Sequence, residues 1–241
     1  MTSFSSRRSS LAVAVMTAYA MAALVDTALR AEADSSDSLI QRLVVQTTRT
    51  NLSIRATRQM RAGTASGKHQ GWMTIETAVT PAGVFSWKVL EQGGSERTRD
   101  KVFLALLEGE RDSWRTGDRD DASLTPANYE FTPLPSSRPG QMQFRLKPRR
   151  EDSKLVDGIL TVSPDGYPLR LEGKLAKSPS FWVKSVTVTK RYGRFAGVAL
   201  PTVIESVADL KLFGRSTFTM RYHYSEVNGR NVALQATNTR D

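Results

Sequence analysis

The stretch Ile159-Leu160-Thr161-Val162-Ser163-Pro164-Asp165-Gly166-Tyr167-Pro168-Leu169-Arg170-Leu171-Glu172 decides the fold. Pro164-Asp165-Gly166 is a tight-turn signal, because proline presets φ and glycine is free to take φ > 0. On the return, Leu169 and Leu171 alternate with Arg170 and Glu172, the period of a half-buried strand. The chain keeps this pattern from 154 to 229. Segments 183–192, 198–213 and 216–226 are rich in Val, Thr, Tyr and Phe and are bounded by Gly or Pro, so each reads as a long antiparallel strand. In the last of them Phe218, Met220, Tyr222 and Tyr224 share a face, against Thr217, Thr219, Arg221 and His223. Pro201 cannot donate to a ladder and belongs at an edge or a bulge. Asn228-Gly229 is a hairpin dipeptide, and a short closing strand through Val232 and Leu234 comes after it.

Upstream, the same reading gives a second group of elements. Ser38 can cap a helix carrying Leu39, Ile40, Leu43 and Val44 at helical spacing. Residues 51–62, 70–79 and 84–90 are three strands. In the third, Phe85, Trp87 and Val89 share one face and Ser86 and Lys88 the other. The strongest helix runs over 98–114, with Val102, Phe103, Leu106, Leu107 and Trp114 along one side and Gly117 as its stop. Segment 118–127 reads as loop, Tyr129-Glu130-Phe131 as a short strand, and 133–140 as a Pro/Ser/Gly loop. Met142, Phe144 and Leu146 then alternate with Gln143, Arg145 and Lys147. So many long antiparallel strands must curl. The fold class is therefore α+β: a strongly curved antiparallel sheet forming an unclosed β-barrel, with helices covering the concave side.

Composition narrows the function. The 241 residues carry a net charge of +10 and no cysteine, which excludes disulfides and thiolate metal sites. A hydrophobic share of 39% fits a globular core. Arg7 and Arg8 precede an uncharged apolar run over 11–25, and Ala31-Glu32-Ala33 offers small residues where a signal peptidase reads. Residues 1–33 read as an export signal, by general secretion or a twin-arginine route, and 34–241 as one domain. The apolar run is shorter than the roughly 20 residues a spanning helix takes.

No enzyme signature is present. His69 and His223 lack carboxylates at metal-ligand spacing, so no metal is expected. Gly93-Gly94 is not a phosphate loop, no nucleophile elbow occurs, and no cofactor is expected. The basic groups Arg55/Arg58/Arg61, Lys147/Arg149/Arg150 and Lys190/Arg191/Arg194 are spread over strands and turns, and export removes the chain from nucleic acid. They read as solvated faces, with an anionic membrane surface or an acidic partner as the functional option. The apolar residues are more informative. Phe85, Trp87, Met142, Phe144, Leu169, Leu171, Phe218, Met220 and Tyr222 lie on five strands, and would line one apolar cavity if those faces all point inward. Met142 and Met220 would make such a lining adaptable. The alternatives are ordinary core, an interaction module taking a peptide at a sheet edge, or an unrecognised hydrolase.

Two phrases carry a resemblance: Tyr129-Glu130-Phe131 leading to Arg145-Leu146-Lys147-Pro148, and Asp165-Gly166-Tyr167-Pro168-Leu169-Arg170-Leu171-Glu172-Gly173. With the order of elements over 38–230, they resemble the periplasmic lipoprotein-carrier superfamily (LolA/LolB-like, with outer-membrane lipoprotein-sorting proteins). The resemblance implies a periplasmic, monomeric, non-catalytic protein with an unclosed barrel and a helical lid. Its partner would be a lipid or acylated protein. No functional residue is carried over.

Overall fold

The alternation read from the sequence becomes one eleven-stranded antiparallel sheet. The structure, a computed structural model, describes residues 36–47, 51–67, 69–118, 120–135, 138–212 and 214–233. The expected export signal and Leu234 lie outside them. The strands are β1 (Ile54–Thr64), β2 (Gly71–Val79), β3 (Phe85–Gly94), β4 (Tyr129–Leu134), β5 (Met142–Pro148), β6 (Val156–Val162), β7 (Pro168–Leu175), β8 (Val183–Phe195), β9 (Val198–Leu210), β10 (Gly214–Val227) and β11 (Arg230–Asn231). Their order is β3-β2-β1-β10-β9-β8-β7-β6-β5-β4, with β11 on β10. Neighbours are successive hairpins except at β1–β10, where the N-terminal meander joins the C-terminal one. The path ends at β3 and β4, so the barrel is unclosed. Helix α1 covers 36–47. Glu96–Thr98, the π-helical turn Arg99–Leu104 and Ala105–Thr116 run on as one helix, α2. The backbone divides into two compact units. The first ends at Gln41 and contributes the helical residues 36–41; the second, Arg42–Asp241, holds the whole sheet and α2.

The register defines two faces. Residues directly opposite each other in a ladder point the same way. Phe144 faces Leu160, Leu160 faces Leu171, Leu171 faces Lys190, and Lys190 faces Ile204. Ile204 faces Met220, Met220 faces Met60, and Met60 faces Met73. This row marks the inner face, and six of its eight members are almost fully buried. One residue along, Arg61, Arg145 and Arg191 are exposed. The inner face is curled. Tyr129 on β4 and Tyr192 on β8 are four strands apart, about 19 Å on a flat sheet. Yet the Tyr129 phenol is close enough to reinforce the upward push that burial gives the Tyr192 phenol.

Helix α2 begins at Ser95, whose hydroxyl accepts the Thr98 N–H, and ends at Gly117 in the left-handed conformation (φ 81°). Phe103 and Leu107 are fully buried and pack with Met60, Met73, Ile75, Val79, Phe85 and Met220. Val102 departs from the expected stripe and is exposed. It lies within the π turn, whose wider i→i+5 spacing breaks the 3.6-residue wheel used to place it. Pro133, expected in a loop, is inside β4; a missing N–H is tolerated there because β4 is an edge strand. Pro201 is at a β8–β9 bulge as expected, and the Tyr224 hydroxyl donates to its carbonyl at 2.7 Å. The closing strand is only Arg230–Asn231.

Two close approaches need glycine. At Gly166, φ is 84°, and an added Cβ would stand 2.5 Å from Arg42 Cβ and 2.9 Å from the Leu43 nitrogen. The β6–β7 turn therefore seats directly under the C-terminal half of α1. Gly158 on β6 faces Gly173 on β7, and a Cβ on Gly158 would lie 2.0 Å from the Glu172 carbonyl oxygen. Gly158→Ala is expected to destabilise the protein by about 1–3 kcal/mol, the range for overpacking a tight site. A urea midpoint unchanged from the parent would show that β6 and β7 do not approach this closely.

Candidate functional site

The candidate site is the stretch of inner face that stays half open beside α2. Burial is deepest in two places: Met60, Met73 and Ile75 lie beneath α2, and Phe144, Leu146 and Leu160 on β5 and β6 are fully covered, while Trp87 and Met142 are half buried and Val89 at the β3 edge is exposed. Between them the pattern changes. Every residue from 201 to 210 on β9 is only half buried. For the outward Val203, Glu205 and Val207 this is ordinary. For the inward Ile204, Ser206, Ala208 and Leu210 it means that their face is not sealed. Val186, Lys190 and Tyr192 on β8 and Phe218 and Tyr222 on β10 are half buried in the same way. The half-buried residues thus gather on the inner face of β8, β9 and β10.

Arg58 and Glu110 latch α2 to one wall. Arg58 is 6% exposed and on the inner face of β1, opposite Tyr222. Its guanidinium donates to both Glu110 carboxylate oxygens at 2.5 and 2.9 Å and to the Thr77 hydroxyl at 3.1 Å. It lies 5.2 Å from the Phe85 ring centroid and 4.9 Å from that of Tyr222. Burial opposes the guanidinium charge, but the Glu110 carboxylate outweighs it and raises the Arg58 pKa further. A planar fork meeting a carboxylate side-on fixes the angle of the helix as well as its distance.

Lys190 has no such partner. It faces Leu171 on one side and Ile204 on the other. No hydrogen bond or ion pair to it is formed among the described residues. Protein surrounds the ammonium, and this burial lowers its pKa below the usual lysine value, yet part of its surface stays open. Tyr192, two residues along the strand, and Tyr222 are placed alike, and burial raises both phenol pKa values. On the outer face the contrast is plain: Arg170 pairs with Glu172 at 2.5 Å, Arg191 with Glu205 at 3.2 Å, and Arg145 with Asp157.

The apolar residues expected to form a cavity fall into two groups. Phe85, Phe144, Leu171 and Met220 are nearly fully buried and act as core. Trp87, Met142, Phe218 and Tyr222 are half buried, and so is Leu169, the extra residue of a β6–β7 bulge. Sequence reading missed Lys190 and Arg58, which it grouped with their exposed neighbours. Strand parity carries the signal: Lys190 falls in step with Val186, Val188 and Tyr192, and Arg58 with Ala56 and Met60. His69 lies in an exposed turn and His223 on the outer face, opposite Thr57. Among the described residues no group of His, Asp and Glu could hold a metal ion, and no helix is long and apolar enough to cross a membrane. A separate groove of about 440 Å³ lies at the end of β1 and β10, beside Trp72, lined in part by Arg61, Gln70, Thr217 and Thr219.

No family model and no curated protein matches the chain. Among solved structures it is similar to a LolA superfamily protein from Nitrosomonas europaea, at 13% identity and a TM-score of 0.39, over 84% of this chain and 97% of that one. It is also similar to an outer membrane lipoprotein-sorting protein domain from Vibrio parahaemolyticus, at 13% identity and a TM-score of 0.41, over 85% of this chain and 93% of that one.

Glu110→Ala leaves the buried Arg58 charge uncompensated and is expected to cost about 2–3 kcal/mol, less than for a fully buried pair because Glu110 is 28% exposed. Replacing both, as Arg58→Met with Glu110→Leu, is expected to cost less than Glu110→Ala alone. Urea unfolding of the three proteins checks this; a double variant weaker than the single one would contradict the latch.

Proposed function

We propose that this protein is an exported, non-catalytic carrier that shields an acyl chain, free or attached to a lipid or lipoprotein, in the hollow over β8, β9 and β10. The observation that supports the reading is the half-open inner face of β9, where Ile204, Ala208 and Leu210 with Ser206 lie between the deeply buried rows under α2 and on β5 and β6. A protein interior packs to crystal-like density, and an apolar concavity left open is therefore a site for a guest. Burying about ten methylenes yields roughly 8 kcal/mol, which corresponds to a micromolar dissociation constant. Binding alone accounts for the site, and no reacting group is needed in it.

The place of exchange would be a membrane surface. Phe181 is 74% exposed, Trp182 57% and Leu212 70%. They lie together at the end of β8 and β9: the Lys211 N–H donates to the Trp182 carbonyl at 2.9 Å, and the Lys211 ammonium sits 3.5 Å from the Phe181 ring centroid. Lys177 and Lys184 flank them and are exposed. An aromatic tip ringed by lysines suits an interface of anionic lipid headgroups. Both strands belong to the floor of the hollow, so a docked tip puts the hollow beside the bilayer.

Two outcomes test the reading. Ala208→Trp, which fills the hollow, is expected to weaken binding of a fluorescent fatty acid at least about tenfold, whereas Val207→Trp on the outer face leaves it unchanged. Equal effects of the two would contradict the site. Phe181→Ser with Trp182→Ser is expected to abolish cosedimentation with phosphatidylglycerol vesicles and to leave fatty-acid binding intact; undiminished cosedimentation would remove the tip from the account.

A further inference from the structure

We infer that Lys190 is the headgroup site of the hollow, taking the single negative charge of an amphiphile's carboxylate or phosphate while the chain lies along β8, β9 and β10. The inference rests on the carrier reading and names its ligand class. Lys190 stands near the middle of β8, not at its rim. Its cross-strand neighbours are Leu171 and Ile204, and Val188 precedes it on the same face. Any aliphatic residue there would complete an apolar surface. An ammonium instead leaves a charge with no counter-charge among the described residues, which is costly in a low-dielectric setting. Glu110, the carboxylate that α2 brings to the inner face, is already held by both terminal guanidinium nitrogens of Arg58. A ligand's anion can supply the counter-charge that the described residues do not, and the half-open surface of Lys190 gives it access.

The surroundings set the chemistry. One ammonium balances one negative charge, and the Tyr192 and Tyr222 phenols, both kept protonated by burial, can add hydroxyl donors. A neutral headgroup gains no ion pair from Lys190, and a cationic one is repelled. From Ile204 to Leu210 the inner face of β9 runs about 20 Å, with Ser206 and Ala208 half buried between them. That strip gives a single acyl chain room to extend from Lys190 toward the Phe181–Trp182 tip. The ligand class is thus a monoanionic amphiphile bound headgroup first, whether a fatty acid or a lysophospholipid.

The test measures affinities of oleate, lysophosphatidylglycerol and neutral monoolein for the parent, Lys190→Met and Lys190→Arg, with melting temperatures beside them. The parent is expected to bind at least one anionic probe about 10- to 100-fold tighter than monoolein, the worth of a charge-assisted hydrogen bond. Which anion wins tells a carboxylate ligand from a phosphate one. Lys190→Met is expected to bring the three probes to about parity with monoolein unaffected, and Lys190→Arg to keep the preference. Without ligand, Lys190→Met should melt no lower than the parent, since it removes an unpaired charge. A preference that survives Lys190→Met, or none in the parent while monoolein still binds, overturns the headgroup assignment alone. A lowered melting temperature with loss of monoolein binding marks Lys190 as structural and overturns it too. Failure of all three probes on the parent overturns the carrier reading with it.

Discussion

The constraint on which the structure depends is the width of the sheet. Ten strands in one hydrogen-bonded path span more than about 40 Å when flat, and a helix is only about 10 Å across. The inner face must therefore curl, be sealed by side chains, or stay open. This chain does all three. Glycines at 158 and 173 let β6 and β7 close on each other. Phe103 and Leu107 of α2 seal the β1–β2–β3 side. The middle strands, β8 to β10, are left half covered.

Charge is distributed to match. Outer-face arginines find carboxylates across or along their strands, where water screens both partners and the pairs contribute little. On the inner face Arg58 and Lys190 show opposite solutions. Arg58 is neutralised by the helix that covers it, so its cost is offset within the fold and the helix is held at a fixed angle. Lys190 is offset by nothing in the described chain. The energetic asymmetry between two cations on one face separates a structural latch from a site waiting for a ligand.

Much of this was legible in the sequence, for a local reason. Alternation along β10 placed Phe218, Met220, Tyr222 and Tyr224 on one face, and Pro201 marked an edge or a bulge, because both readings depend on local residue types; the register shows a bulge. Val102 went astray because a π turn changes the helical period, which no propensity marks. Pro133 was read as loop because being an edge strand is a property of the whole sheet. Lys190 was lost by treating Lys190, Arg191 and Arg194 as one basic run. Parity splits that run, sending Lys190 inward and Arg191 outward, but whether the inward face is sealed depends on where α2 lands. That needs the register of strands far apart in the chain.

The most direct test is paramagnetic broadening of methyl resonances by a nitroxide-labelled stearate bound to the protein. The account predicts strong broadening at Ile204, Val188 and Leu171, with Val203 and Val207 on the opposite face of the same sheet unaffected. Broadening confined to the outer face or the sheet edges, with the inner-face methyls untouched, would contradict it.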